Sequence, residues 1–375
     1  MVSLRYNIFA FGHSYKLPIH IYGKHGKMIH PITISNFMGL KDPVPLADVR
    51  TPAEFEHAHI PGAFNLPLFS DEERVSIGTT YKQAGKEAAI LLGFDFTGPK
   101  WSRFIKQALE MAPEKKIVVH CWRGGMRSEA MAWALALFGF EVYRVEGGYK
   151  QYRRWVLDQF EATYSLYILG GMTGSGKTRI LHELRSLGQQ VIDLEALAQH
   201  RGSSFGSMNK LVQPTQEQFE NNLASELNKR DKHRNIWVED ESSAIGKRTI
   251  PRAFWDQMVT SFMIDIKVSA AQRIEALVQE YGSLDKDFLI ECTGRIRKRL
   301  GLDQAKNAIT AIKEDRIADF IRVVLIYYDK TYRTSLAHRD AGRILTVNIE
   351  NTDHSQNARE ILRAVHAIHP DKLYA

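Results

Sequence analysis

The octapeptide Gly171-Met-Thr-Gly-Ser-Gly-Lys177-Thr178 constrains this chain more than any other feature, because its chemistry needs a strand before it and a helix after it. The apolar run Tyr164–Leu169 supplies the strand, and Arg179–Leu187, closed by Gly188, supplies the helix. In that setting the glycines let backbone N–H groups curl around phosphate oxygens, and the helix N-terminus adds positive potential. Lys177 is then expected to reach terminal phosphates and Thr178 to ligate magnesium. Gly171, Gly174, Ser175, Gly176, Lys177 and Thr178 are therefore read as diphosphate-binding residues. The motif leaves open whether the ligand is a nucleotide or another diphosphate. A second apolar run, Asn235–Glu241, ends in Glu239, Asp240 and Glu241. Asp240 is predicted to hold the metal together with Thr178.

A chain of 375 residues is too long for one ordinary core and comfortable for two. Short apolar runs alternate with helical patterns throughout, which predicts an α/β protein with parallel sheets covered by helices. Val44–Val49, Ile117–His120 and Glu141–Val145 read as strands of a first domain, with helices over Trp101–Met111 and Ser128–Phe138. Tyr164–Leu169, Gln190–Leu194, Ile236–Asp240, Met263–Val268 and Ile344–Ile349 read as strands of a second. Thr215 to Gln218 reads as a capping box that opens a helix to Lys229. The division expected is an N-terminal extension over 1–30, a first domain over 31–150, a linker over 151–163 and a phosphate-binding domain over 164–375.

The second motif is His120-Cys121-Trp-Arg-Gly-Gly-Met-Arg127-Ser128, between a strand and a helix. Backbone amides, the helix dipole and the guanidinium groups of Arg123 and Arg127 would favour a thiolate there, which makes Cys121 a candidate nucleophile. A merely structural cysteine has no need of two glycines and two arginines beside it. Cys292, the other cysteine, has no such frame and reads as a packing residue. His120, Glu54 and Asp48 are expected to be structural hydrogen-bonding groups.

Two cysteines in such different surroundings argue against a disulfide framework and for a reducing compartment. No secretory signal or membrane-spanning run is evident, so a cytoplasmic protein with no membrane partner is expected. The net charge of +7 is concentrated: residues 295–343 hold twelve Lys/Arg against six Asp/Glu. Within this basic helical region Arg295, Arg297, Lys298 and Arg299 are candidate contacts to nucleic-acid phosphates.

Asp48-Val-Arg50-Thr-Pro-Ala-Glu54-Phe55, followed by His59-Ile-Pro61-Gly62-Ala63, resembles the rhodanese signature, and Val145-Glu-Gly147-Gly148-Tyr149 resembles its closing motif. Ala58 stands where many rhodaneses have glycine. Rhodaneses carry sulfur or selenium on such a cysteine. The loop here is C-x5-R, longer than in common sulfurtransferases and equal in spacing to that of cysteine phosphatases, a spacing that suits a tetrahedral oxyanion. A rhodanese-like domain followed by a P-loop NTPase-like domain resembles the tRNA 2-selenouridine synthases. Phe69-Ser-Asp-Glu-Glu-Arg74-Val-Ser-Ile-Gly78-Thr-Thr-Tyr81-Lys82 is similar to that family's insertion. Asp193-Leu-Glu195 and His200-Arg201-Gly202-Ser203-Ser-Phe205-Gly206 are similar to its segment after the phosphate loop.

The resemblance implies conversion of 2-thiouridine at the tRNA wobble position to 2-selenouridine through S-geranyl-2-thiouridine. Geranyl diphosphate and selenophosphate would be co-substrates, Mg2+ the metal, and a selenophosphate-producing enzyme the donor source. Cys121, Arg123 and Arg127 would handle the selenium donor. Two other readings remain: a cysteine phosphatase fused to a small-molecule kinase, which would turn over ATP without RNA, and a noncatalytic nucleotide-gated binding module.

Overall fold

The computed structural model describes residues 28–202, 205 and 212–369. The expected extension over 1–30 falls almost wholly outside them, as do 203, 204 and 206 of the segment after the phosphate loop.

Two five-stranded, all-parallel sheets organise the described residues. The first contains β1 (Ile29–Ile32), β2 (Leu46–Asp48), β3 (Ala63–Asn65), β4 (Lys116–His120) and β5 (Glu141–Val145), in the order β1-β5-β4-β2-β3. Its helices are α1 (Ile34–Met38), α2 (Pro52–His57), α3 (Asp71–Thr97), α4 (Trp101–Met111) and α5 (Met126–Leu137). A further helix, α6 (Gly148–Glu161), follows β5 and leads to the second sheet. That sheet holds β6 (Leu166–Gly171), β7 (Gln190–Ile192), β8 (Ile236–Glu239), β11 (Phe262–Val268) and β12 (Ile344–Ile349), in the order β12-β11-β6-β8-β7. A small antiparallel hairpin, β9 (Ala244–Ile245) and β10 (Arg248–Thr249), lies beyond β8. The second sheet's helices are α7 (Lys177–Ser186), α8 (Leu194–Ala198), α9 (Gln216–Asn228), α10 (Arg252–Thr260) and α15 (His354–Ile368). Helices α11 (Ala270–Tyr281), α12 (Lys286–Leu300), α13 (Leu302–Lys313) and α14 (Ile317–Ala337) form a helical annex with its own apolar core.

Successive strand residues face opposite sides, and both sheets use that alternation to build one shared core. Leu46, Val118 and Val145 of the first sheet and Leu166, Ile168 and Val238 of the second belong to a single buried cluster. Their neighbours Ala47, Val119 and Val142, and Tyr167, Leu169 and Trp237, face separate outer cores. The expected linker over 151–163 is corrected by this arrangement. Those residues lie almost wholly within α6, whose Tyr149, Tyr152, Val156 and Phe160 recur at helical spacing and are buried in the shared core. Burial of each such side chain contributes about 1.5–3 kcal/mol before entropy is counted, so the segment docks the domains rather than tethering them.

The α9 N-terminus shows the same coupling. Thr215 caps it by accepting from the Gln218 N–H at 3.0 Å, as the pattern predicts. Gln218 does not complete the box: its Oε1 accepts from the backbone N–H of His59, at 2.8 Å, across the domain boundary.

Candidate functional site

The cysteine loop joins β4 to α5, so its amides lie at a helix N-terminus. Cys121 is only 3% exposed; its Sγ lies 3.3 Å from Ser128 Oγ and its thiol donates to Gly125 O at 3.8 Å. The first turn of α6 holds the loop from behind. Tyr149 N–H donates to Cys121 O and Lys150 N–H to Trp122 O, both at 2.9 Å, while Arg144 donates to Gly124 O. Gly148 has φ +57°, and a Cβ there would lie 2.2 Å from Cys121 O. Only glycine allows that approach.

Beneath the loop, Arg50 Nη2 donates to Asp48 Oδ2 at 2.6 Å and to Ala58 O at 2.7 Å, with its guanidinium 3.8 Å from the Tyr149 ring centre. His120 is fully buried, and burial holds its imidazole below the ordinary range. Glu54 caps α2 and accepts from Arg127 Nη1 at 2.6 Å. Burial alone would raise the Glu54 carboxyl, but Arg127 pulls it below its ordinary value. Asp48 and Glu54 thus have structural partners, while His120 Nδ1 lies 3.4 Å from Cys121 O and its buried Nε2 has no hydrogen-bond partner among the described residues, 3.6 Å from Asp48 Oδ2. Arg127 is engaged at the loop's rim, whereas Arg123 is exposed and has no ion-pair partner among the described residues.

The phosphate loop lies between β6 and α7. Gly174 and Gly176 have φ +81° and +78°, and a Cβ on them would meet Leu277 and His354 respectively at 2.9 Å. Lys177 Nζ donates to Gly171 O at 2.9 Å, and Ser175 Oγ is buried without a partner among the described residues. Arg273, from α11, steadies the turn by donating to Thr173 O at 3.0 Å while pairing with Asp329 of α14 at 2.8 and 2.7 Å.

Glu195, Glu239 and Glu241 converge beside this loop, with one oxygen of each within 4.8 Å of the others. Burial, then mutual repulsion, pushes Glu195 up to about 8. Glu241 is raised by burial and then by Glu195 and Glu239, and Glu239 by burial and the nearby Asp193. Thr178 Oγ1 donates to Glu195 Oε2 at 3.4 Å, and Glu239 Oε1 is buried with no partner among the described residues. A Cβ on Gly202 would fall 2.6 Å from Glu241 Oε2, so the stretch after the phosphate loop packs onto the carboxylates. The expectation for Asp240 is corrected. Successive residues at the end of a strand point to opposite faces, and Asp240 Oδ1 is taken by Arg339 Nη2 at 2.6 Å. Glu239 faces Thr178 in its place.

Arg295, Arg297, Lys298 and Arg299 are exposed on α12. Arg295 pairs with Glu291 at 2.7 Å, while the other three have no ion-pair partner among the described residues. They occupy the last turn, where cations also complement the helix dipole. Cys292 is buried in the annex core, and burial pushes its thiol up. No helix among the described residues is long and apolar enough to cross a membrane.

Fold and site together define a cysteine-loop domain of rhodanese type fused to a P-loop domain with a carboxylate cluster. Residues 34–154 match the model of the rhodanese-like domain, and residues 164–363 match that of the tRNA 2-selenouridine synthase AAA domain. A tRNA 2-selenouridine synthase of Hydrogenovibrio crunogenus is 37% identical over 77% of this chain and 88% of its own length. Its counterpart in Aeromonas salmonicida is 34% identical over 80% of this chain and 89% of its own. That in Nitrosomonas europaea is 39% identical over 63% of each. The chain belongs to the tRNA 2-selenouridine synthase family and is an enzyme of the transferase class.

Sequence reasoning did not single out Glu195, Glu239 and Glu241 as one cluster, or Arg273 at all. The Asp193-Leu-Glu195 and Glu239-Asp-Glu241 patterns carried a signal for the first three. Nothing in the pattern of α11 marks Arg273, whose role depends on the folding of a helix about a hundred residues away.

Proposed function

We propose that this enzyme converts 2-thiouridine at the wobble position of tRNA to 2-selenouridine in two steps served by its two loops. In the first, the thiouridine sulfur bonds to C1 of geranyl diphosphate as the C–O bond breaks, diphosphate leaves and the N3 proton of the base is released. In the second, selenium from selenophosphate bonds to C2 of the base and the S-geranyl group departs as geranylthiol. Hydrolysis of the Se–P bond releases phosphate. The names of the relatives support the overall conversion. One observation carries the division of labour: a buried thiol at the N-terminus of α5 and a phosphate loop at the N-terminus of α7 share a chain whose domains have a common core.

Lys177 and the amides of Gly174–Lys177 bind and orient the diphosphate and stabilise it as it departs. Thr178, Glu239, Glu195 and Glu241 would hold Mg2+. The donor set suits such a hard cation, and the buried Glu239 Oε1, unpartnered among the described residues, leaves a ligand oxygen without another role. When bound, the ion supplies charge neutralisation to the phosphates. The Cys121 loop, with Arg123 at its mouth, receives the tetrahedral selenium donor. The exposed α12 cluster contacts tRNA phosphates. The reaction belongs in the cytoplasm, beside an enzyme that makes selenophosphate.

Nucleoside mass spectrometry of 2-thiouridine tRNA incubated with the enzyme, Mg2+ and both donors tests this reading. It predicts 2-selenouridine with both donors and S-geranyl-2-thiouridine when selenophosphate is left out. Selenouridine formed without geranyl diphosphate would overturn the two-step order. ATP turnover with phosphate-ester hydrolysis and no change in the RNA would favour the kinase–phosphatase reading.

A further inference from the structure

Beside the cysteine loop lies a groove of about 940 Å³, within the roughly 300–1,000 Å³ common for ligand sites. The left-handed φ of +90° at Gly85 breaks α3 into two limbs, and both line the groove. Its walls include Phe69, Val75, Ile90, Phe94 and Trp101, while Arg123, Met126 and Arg127 of the cysteine loop form one end. Val75 and Phe94, which both line it, are 68% and 62% exposed, so the groove presents apolar side chains to solvent.

The charges around it have one sign. Arg74, Lys82, Lys86, Arg123 and Arg127 line the groove, and no carboxylate among the described residues does. Of these cations only Arg127 is ion-paired among the described residues. An apolar trough ringed by such cations suits a ligand with a hydrocarbon chain attached to a polyanion. Neither a bare sugar phosphate nor an uncharged lipid would use both halves.

We propose that this groove receives the hydrocarbon chain of an S-alkylated uridine while flanking phosphates of the single-stranded RNA rest on Arg74, Lys82 and Lys86. The two limbs of α3 bind the chain, and Met126 and Arg123 bring its sulfur-bearing end to the Cys121 loop. The groove thus serves the second step, after the diphosphate has gone. This inference rests on the two-step reading above.

The test compares binding of two anticodon stem-loop RNAs, one with 2-thiouridine and one with S-geranyl-2-thiouridine, to the full chain. The native enzyme should bind the geranylated RNA at least tenfold more tightly. V75E/F94E, which alters only exposed wall residues, should bring the two affinities within twofold of each other, and F94L should keep the preference. V75E/F94E should also raise KM for selenation of pre-geranylated RNA more than tenfold while geranylation of 2-thiouridine continues at the native rate. No preference in the native enzyme, or one unchanged in V75E/F94E, overturns the inference. Loss of geranylation in V75E/F94E, with geranyl diphosphate alone bound by the native protein but not by the variant, would assign the groove to the free diphosphate and also overturn it. Failure of the native enzyme to make selenouridine from geranylated RNA would count against the two-step reading, and the binding comparison would still decide the groove.

Discussion

The Tyr149 hydroxyl donates to Glu217 Oε1 at 2.7 Å, joining the turn that carries the cysteine loop to the first turn of α9 in the other domain. Asn221 Nδ2 donates to the same hydroxyl at 2.8 Å and to His59 O at 2.9 Å. Tyr149 N–H meanwhile holds Cys121 O. One residue therefore supports the reactive loop, stacks against Arg50 and pins the interface.

Tyr149→Phe keeps the ring and removes the hydroxyl, so the half-buried Glu217 Oε1 loses its donor and the buried Asn221 Nδ2 keeps only His59 O. A drop in stability of about 1–3 kcal/mol is expected, since unmade buried hydrogen bonds cost about that much. Denaturant unfolding should show a lower midpoint. An unchanged midpoint would mean that water replaces the hydroxyl at no cost.

Disabling each loop should stop the pathway at a different compound. Cys121→Ala keeps the phosphate loop, so with both donors it should accumulate S-geranyl-2-thiouridine and form no selenouridine. Lys177 donates a single hydrogen bond, to Gly171 O, and its charge acts on the neighbouring Glu195, Glu239, Asp240 and Glu241, which can take up protons in its absence, so Lys177→Ala should fold normally. It should leave 2-thiouridine unmodified yet convert RNA geranylated beforehand. Both outcomes can be read by mass. Loss of geranylation in Cys121→Ala, with a native circular dichroism spectrum, would refute the division of labour.

The carboxylate cluster predicts a divalent cation. Glu239→Gln removes one charge and keeps the shape, and it should weaken Mn2+ binding by tenfold or more in calorimetric titration. Asp240→Asn, which disrupts the Arg339 pair, should lower stability with much less effect on the ion. The reverse ranking would return the metal to Asp240.

On α12, reversing Arg297, Lys298 and Arg299 to Glu should weaken tRNA binding and flatten its salt dependence. The log–log slope should fall by about 0.7–0.9 for each phosphate that the protein no longer neutralises. Arg295→Glu should matter less, because Arg295 already pairs with Glu291. A slope that stays constant in the triple variant would leave these residues the smaller role of complementing the helix dipole.

The sequence by itself determined the α/β class, both loops and most of the strands, because these depend on short-range rules. A phosphate loop needs glycines at fixed spacing between a strand and a helix, and parallel strands buried on both faces read as short apolar runs. Glu141–Val145, Trp101–Met111 and Ile344–Ile349 lie as the pattern predicts. The tertiary structure alone decided what depends on facing. The polar look of 151–163 hid a stripe of aromatic side chains that becomes apolar core only when a second sheet covers it. Three adjacent carboxylates are indistinguishable in a sequence. The pleat that ends β8 turns Glu239 toward Thr178 and leaves Asp240 to Arg339, which lies ninety-nine residues further along the chain.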